Sequence, residues 1–236
     1  MSRVPDARQG RPFDEIAALS TMGRDGGSWL DADVLVLPEL WIPHEGPGLL
    51  DRLAEMGFEA MACTRFVTLG FGERPHVARP GEGWWVLAVA GRQRFLATHE
   101  LALPRGVNDP VPLRHALHVE IAVDDLVVDL VAFHVSSKLW YLSPPRQLRG
   151  LARHVRDLGS ARPAILVGDA NWWRSTLPLW LPGWRPAVRG ATFTSWRPHS
   201  QIDHVLTRGR VAVSDAEVAS RSAGSDHRAV RATLIV

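Results

Sequence analysis

Ala164-Ile-Leu-Val-Gly-Asp-Ala-Asn171 is an apolar run that stops abruptly at a glycine and two polar side chains. Four apolar residues in a row, Ala164 to Val167, suit a strand covered on both faces. Asp169 and Asn171 then follow where such a strand leaves its sheet. In α/β sheets this carboxyl end is where ligands bind, because the loops there are free to carry polar groups. The segment predicts an α/β fold with its chemistry at one sheet edge.

The neighbouring segments extend that reading. Before it, Pro144-Pro145 opens a helix to Leu158, with Leu148, Leu151, Val155 and Leu158 on one stripe and Arg146, Arg149, Arg153 and Arg156 on another. The bland reading of the arginine stripe is a solvated face. Further upstream, Ala116 to Val123 alternates apolar and polar residues, Asp124-Asp125 makes a turn, and Leu126 to Phe133 returns as a second strand ending at His134. Trp84 to Ala90 and Arg94 to Thr98, parted at Gly91, predict another hairpin. Asp33 to Leu37 is a compact strand ending at Pro38-Glu39, followed by a helix over Gly48 to Met56. Ile202 to Leu206 and Ala229 to Val236 are the last strands, and Phe13 to Leu19 is a short helix near the start. With no repeat and no linker, residues 1–236 read as one α/β domain.

Composition removes other classes. At 236 residues, 46% hydrophobic and 22% charged, the chain is neither disordered nor fibrous. It has no apolar run of the roughly 20 residues needed to span a bilayer, and Met1 to Gly10 lacks the apolar centre of a signal peptide. Cys63 is the only cysteine, which leaves no intrachain disulfide and suits the cytoplasm. Lys138 is the one lysine among 27 basic residues, a bias that genome composition explains; a net charge of +2 does not by itself announce a nucleic-acid binder.

The informative regularity is positional. Glu39, His134 and Asp169 with Asn171 come directly after apolar strands, whereas Asp203 and Asp226-His227 lie at or just before the start of one. If the last two strands run antiparallel to the first three, all these groups gather at one edge. Carboxylates suit Mg²⁺ or Mn²⁺, and a scissile phosphate completes such a coordination shell. A His-Asp pair could deprotonate water and an amide could position it, so the set points to phosphoryl transfer.

Five segments carry a resemblance: Asp33-Val-Leu-Val-Leu-Pro-Glu39, Phe133-His134, Gly168-Asp-Ala-Asn171, Ile202-Asp203-His204 and Ser225-Asp226-His227. Their order and spacing resemble the endonuclease/exonuclease/phosphatase superfamily, which includes pancreatic-type deoxyribonucleases, abasic-site endonucleases, sphingomyelinases and inositol-polyphosphate phosphatases. The helix with Arg146 and Gln147 is also similar. The resemblance spans residues 13 to 236 and implies a two-sheet α/β sandwich flanked by helices. It implies that Glu39 and Asp226 bind Mg²⁺ or Mn²⁺, that His134 contacts the scissile phosphate or protonates the leaving oxygen, and that Asp169 orients or activates the attacking water. Asn171 would hold a phosphate oxygen, and Asp203 would keep His227 basic.

Two positions depart from the family. Nothing in Met1 to Leu30 resembles its usual first strand with a metal-binding Asn, and Pro38 replaces its Gln before the metal Glu. An upstream segment or a partner chain is therefore expected to cover the gap. The expected activity is metal-dependent hydrolysis of a phosphodiester, with nucleic acid as substrate and Trp172, Trp173 and Arg146 binding it. The alternatives are a phosphatase or phospholipid phosphodiesterase of the same fold, and a binding protein that has lost turnover. At least half of the tryptophans after Asn171 are expected to pack a Pro-rich loop. Leu37-Pro38-Glu39 also fits the nitrilase superfamily, but Cys63 precedes Lys138, the wrong order for that chemistry.

Overall fold

In the computed structural model the residues described are 20, 28–43, 46–66, 83–106, 114–137, 142–158, 160–220, 222 and 225–236. The helix expected over Phe13 to Leu19 lies outside them. The elements in chain order are β1 (Val34–Pro43), α1 (Leu49–Glu55), β2 (Ala60–Phe66), β3 (Gly83–Gly91), β4 (Phe95–Ala102), β5 (His115–Val123), β6 (Leu126–His134) and α2 (Ser143–His154). They continue with β7 (Ala164–Asp169), β8 (Arg185–Pro186), β9 (Asp203–Arg208), β10 (Ala212–Val218) and β11 (Val230–Ile235).

Two sheets pack face to face. One has six strands in the order β4-β5-β6-β7-β9-β8, the other three in the order β1-β3-β2, and β10-β11 form a separate hairpin. Ala62, Leu87 and Val89 of the smaller sheet meet Leu117, Val119, Leu130 and Ala132 of the larger in a common core. Period-two alternation turns the other residues of these strands outward. On the outside of the smaller sheet Leu35, Leu37, Val86 and Ala88 pack against Leu49 and Leu53 of α1, and on the outside of the larger sheet Val131, Phe133 and Leu166 pack against Leu148 and Leu151 of α2. The result is a two-sheet α/β sandwich flanked by helices.

Helix α2 has prolines at its first positions, where their missing N–H groups leave no helical bond unmade. It stops at His154, four residues before the end read from the sequence. The leucine stripe faces the sheet, and Arg146, Arg149, Arg153 and Arg156 are exposed.

The hairpin expected between Trp84–Ala90 and Arg94–Thr98 does not form. The first run lies in β3, paired on both sides by β1 and β2, while the second lies in β4 and pairs with β5 in the other sheet. Val86 to Ala90 are all buried, the mark of a central strand with both edges taken; β4 is largely exposed, as an edge strand is. Strands β2 and β10, unassigned from the sequence, are largely short-side-chain or exposed sequences with weak alternation.

Candidate active site

The register of the larger sheet builds the site. Strands β6 and β7 are parallel with His134 opposite Asp169, and β7 and β9 are antiparallel with Asp169 opposite Asp203. Three site residues from three segments thus stand in one row across the sheet. The antiparallel β9 brings a residue at its start level with residues at the ends of the others.

Glycine 168 makes this row possible. Its φ is +154°, and a Cβ there would lie 1.8 Å from the Phe133 carbonyl oxygen. No larger residue lets the β6 and β7 backbones approach so closely. Asn171 adopts φ +45°, a left-handed conformation that Asn tolerates. Its backbone N–H donates to Asp169 Oδ1 at 2.7 Å, and its amide donates to Asp169 Oδ2 at 3.1 Å and to the Val135 carbonyl at 2.8 Å. Asn171 thereby braces the buried carboxylate.

Glu39 arrives from the other sheet. The β1–β3 register shifts between Leu37 and Leu40, so Pro38-Glu39 sit in a bulge where Pro costs no ladder bond. The bulge sends Glu39 Oε1 to 3.7 Å from His134 Nε2, which is also 3.5 Å from Asp169 Oδ2. Nδ1 of His134 lies 3.0 Å from an Arg114 guanidinium nitrogen and 3.1 Å from the Pro38 carbonyl. Burial and the Arg114 charge hold His134 well below the ordinary imidazole range. Nδ1 thus meets a donor, Arg114, and an acceptor, the Pro38 carbonyl: with its proton on Nε2, facing the carboxylates, the neutral ring accepts from Arg114, and with its proton on Nδ1 it donates to Pro38.

His227 Nδ1 and Asp203 Oδ2 are 2.9 Å apart. Burial opposes the imidazolium, but the Asp203 hydrogen bond and the charges of Asp203, Asp169 and Asp226 outweigh it and raise His227 to about 9. Asp169 is pushed up to about 8, first by burial and then by Asp203 and Glu39, partly offset by His227 and Asn171. Ligand atoms of Asp169, Asp203 and His227 all lie within 4.8 Å of one another. Such crowding of carboxylates is the environment a divalent cation relieves, and oxygen donors suit Mg²⁺ or Mn²⁺.

The loop over residues 190–201 and the turn before β11 hold this pair, and neither role was legible in the sequence. Buried Thr192 accepts from the N–H groups of Ile202 and Asp203 at 3.2 and 3.3 Å. Ser195 N–H donates to the Asp226 carbonyl at 2.7 Å, Ser225 Oγ accepts from His227 N–H at 3.0 Å, and the Phe193 ring lies 5.1 Å from that of His227. Arg114 was missed as well; its only signal is a position at the edge of a strand whose partner ends in His134. Buried Gln147 on α2 accepts the Ser136 N–H at 2.7 Å and so holds the chain just after His134.

The remaining expected residues spread around this centre. Asp226 is next to His227 in the chain and acts on it electrostatically. Arg146 is exposed on α2, on the face turned away from the sheet. Trp172 is half-buried, packed on Trp173 and edge-on to Trp180, each at 5.9 Å, and its carbonyl is 3.1 Å from His204 Nε2. Trp184 is buried, whereas Trp173 is 53% and Trp196 75% exposed. A second polar cluster, His118, Glu120 and Asp129, sits elsewhere on β5 and β6. Arg162 pairs with both of its carboxylates at 3.0 Å and lowers the Glu120 pKa, so an internal cation already serves it.

The family model of the endonuclease/exonuclease/phosphatase family matches residues 10–227. The chain belongs to this family. Among solved structures, an endonuclease/exonuclease/phosphatase from Beutenbergia cavernae DSM 12333 is similar with a TM-score of 0.70 and 24% identity, over 94% of this chain and 66% of that one. This chain therefore spans slightly less than two thirds of that relative. A family protein from Leptotrichia buccalis C-1013-b gives a TM-score of 0.69 and 13% identity, over 94% and 92% of the two chains. D. rerio TDP2 complexed with single strand DNA product gives 0.60 and 15%, over 86% of each chain. No curated protein sequence matches. Members of the endonuclease/exonuclease/phosphatase family are hydrolases of phosphoric esters. At these identities the structural matches establish the fold.

Proposed function

We propose that this chain hydrolyses a phosphodiester of nucleic acid in the cytoplasm with the help of Mg²⁺ or Mn²⁺. The observation that carries the reading is the Asp203–His227 pair at 2.9 Å, set beside the buried Asp169. In this reading His227 is the general base for water, kept on one tautomer by Asp203. Asp169 orients that water, and Asn171, whose two amide hydrogens go to Asp169 Oδ2 and the Val135 carbonyl, holds Asp169 in place; to bind a phosphate oxygen it would exchange one of these bonds. Neutral His134 donates from Nε2 to the phosphate or to the leaving oxygen. Glu39 and Asp226 would hold the cation, which neutralises the charge that builds on phosphorus.

The exposed rings of Trp173 and Trp196 favour nucleic acid over a small phosphate ester. They follow Asn171 and Ser195 closely in the chain, and stacking on a base is worth about 1–3 kcal/mol each. Similarity to TDP2, solved with a single-stranded DNA product, supports the same choice.

The experiment is a panel of single-stranded DNA, RNA, sphingomyelin, an inositol polyphosphate and bis-p-nitrophenyl phosphate, each assayed with Mg²⁺ or Mn²⁺ and with EDTA. Metal-dependent turnover of a nucleic acid is expected. His227→Ala should lower kcat by roughly 10²–10⁴-fold, the usual worth of a general base. An unchanged kcat, or turnover that survives exhaustive chelation, overturns the mechanism; turnover of sphingomyelin alone makes this a phospholipid phosphodiesterase.

A further inference from the structure

Between Asp129 and Asp157, and again between Asp169 and Asp203, the chain holds no acidic residue, although it has 25 acids in all. The first stretch carries Arg146, Arg149, Arg153 and Arg156, and the second carries Trp172, Trp173, Trp180, Trp184 and Trp196 with four arginines of its own. Distant in sequence, the two stretches meet in space. Leu148 and Leu151 of α2 share one core with Leu177, Leu181 and Trp184, and Trp172 and Trp180 pack against it. That core also holds Val131, Phe133 and Leu166 of the larger sheet, so both stretches lie on the outer face of this sheet. The charge and the aromatic rings they turn to solvent are therefore neighbours.

The arginines work against their own helix. Arg146 and Arg149 stand three apart and Arg149 and Arg153 four apart, spacings at which like charges are neighbours and repel. Arg146 also sits in the first turn, where the helix dipole favours an acid and none is present. All four side chains are exposed, and among the described residues none of them has a carboxylate partner. A face that serves hydration alone gains from mixed signs, whereas a face of one sign is complementary to a polyanion outside the molecule. The stripe also has a direction. Its near end lies at the active site, because Gln147, next to Arg146, holds the Ser136 N–H two residues after His134. Its far end lies at the opposite edge of the sheet: the Arg156 carbonyl accepts from Arg208 at 2.7 Å, and Arg208 closes the strand β9 that Asp203 opens. Exposed Trp173 follows Asn171 by two residues and so belongs to the near end.

We propose that the outer face of α2 is a track for single-stranded nucleic acid, with Arg146, Arg149, Arg153 and Arg156 pairing its phosphates and Trp173 stacking on a base. The track rests on the reading of nucleic acid as the substrate, and it adds where the strand lies beyond the reacting phosphodiester. Guanidinium forks match phosphate oxygens two at a time, which suits arginine to the role. Stacking needs a base face that a duplex keeps covered, so the aromatic side of the surface selects an unpaired strand. Arg146 and Arg153 are about 10 Å apart along the helix axis, so a strand must extend several nucleotides from the active site to engage the whole stripe.

The test reads binding without turnover. In EDTA, fluorescence anisotropy follows labelled oligothymidylates of about three and about twelve nucleotides, and a duplex of the longer length, over a range of salt. The unaltered chain is compared with Arg149→Gln/Arg153→Gln and with Arg94→Glu, which removes the same net charge at one exposed position between β3 and β4. The long single strand should bind the unaltered chain more tightly than the duplex or the short strand. In the double variant it should lose at least roughly tenfold at low salt, and the slope of log Kd on log salt should fall by about 0.7 for each arginine removed. Arg94→Glu should change neither by as much. The Tm of the double variant should hold or rise, since like-charge repulsion on the helix is relieved. Equal affinity and slope in the two variants overturn the track and leave the proposed activity standing. Arginine-dependent binding in a chain that hydrolyses no nucleic acid keeps the track and overturns the activity. A preference for duplex overturns the track, as does arginine-dependent binding to phosphatidylserine vesicles in place of the oligonucleotide, which assigns the face to a membrane surface.

Discussion

At the scale of single residues, His227 is caught between two opposed effects. Burial disfavours its charge, and Asp203 at 2.9 Å with Asp169 and Asp226 nearby favours it more, which raises the ring to about 9. A general base has to be neutral, so kcat/KM should climb with pH from neutrality toward about 9. Asp203→Asn removes the charge that holds the proton, so the limb should move down toward the ordinary imidazole value of about 6.5. The plateau should fall too, because the ring loses its oriented tautomer. Full pH–rate profiles of both proteins check this, and a limb that stays in place in the variant removes Asp203 from the role. His134 is the opposite case, a ring kept neutral by burial and by Arg114, suited to donate one hydrogen bond at any pH near neutrality.

At the scale of elements, the decisive contact is that of β6 with β7. The register sets Phe133 against Gly168 and His134 against Asp169, so whatever separates the first pair displaces the second. Gly168→Ala puts a methyl 1.8 Å from the Phe133 carbonyl oxygen and strains a backbone at φ +154°. The conformational part alone is worth roughly 1–3 kcal/mol, and the overlap adds to it. Urea unfolding should show that loss, and activity should fall further than stability as His134 moves from Asp169. A variant of wild-type stability would mean that the strands part without consequence. The Thr192 hydroxyl has the same standing in β9, since it meets the N–H of Asp203 from a loop with no periodic signal of its own.

At the scale of the whole molecule, the site works against the fold. Asp169 is raised from 3.8 to about 8 and His227 from 6.5 to about 9, whereas burial lowers His134, His154 and His204; above the ordinary imidazole range those three are neutral in both states, so from about 7 to about 9 the folded protein binds more protons than the unfolded chain. Stability must therefore fall as pH rises across that window. With a chelator present, Tm should decline steadily toward pH 9. Mg²⁺ should flatten the decline by favouring the ionised carboxylates, and Asp169→Asn should remove most of the part below about 8. Calorimetry across pH, with and without metal, measures this, and a flat profile in the chelated protein would contradict the raised values. Apolar runs such as Leu126–Phe133 and Ala164–Val167 made the central strands legible from composition alone, because a strand covered on both faces leaves its mark on every residue. The same holds for the polar residues at the strand ends, Glu39, His134, Asp169 and Asp203, which need only a strand boundary to be found. Which strands pair was not legible: β3 and β4 are adjacent in sequence and lie in different sheets, since pairing depends on which edges other strands leave open. The contacts of Arg114, Thr192 and Phe193 were decided by tertiary structure, because each joins segments far apart in the chain through side chains that carry no local pattern.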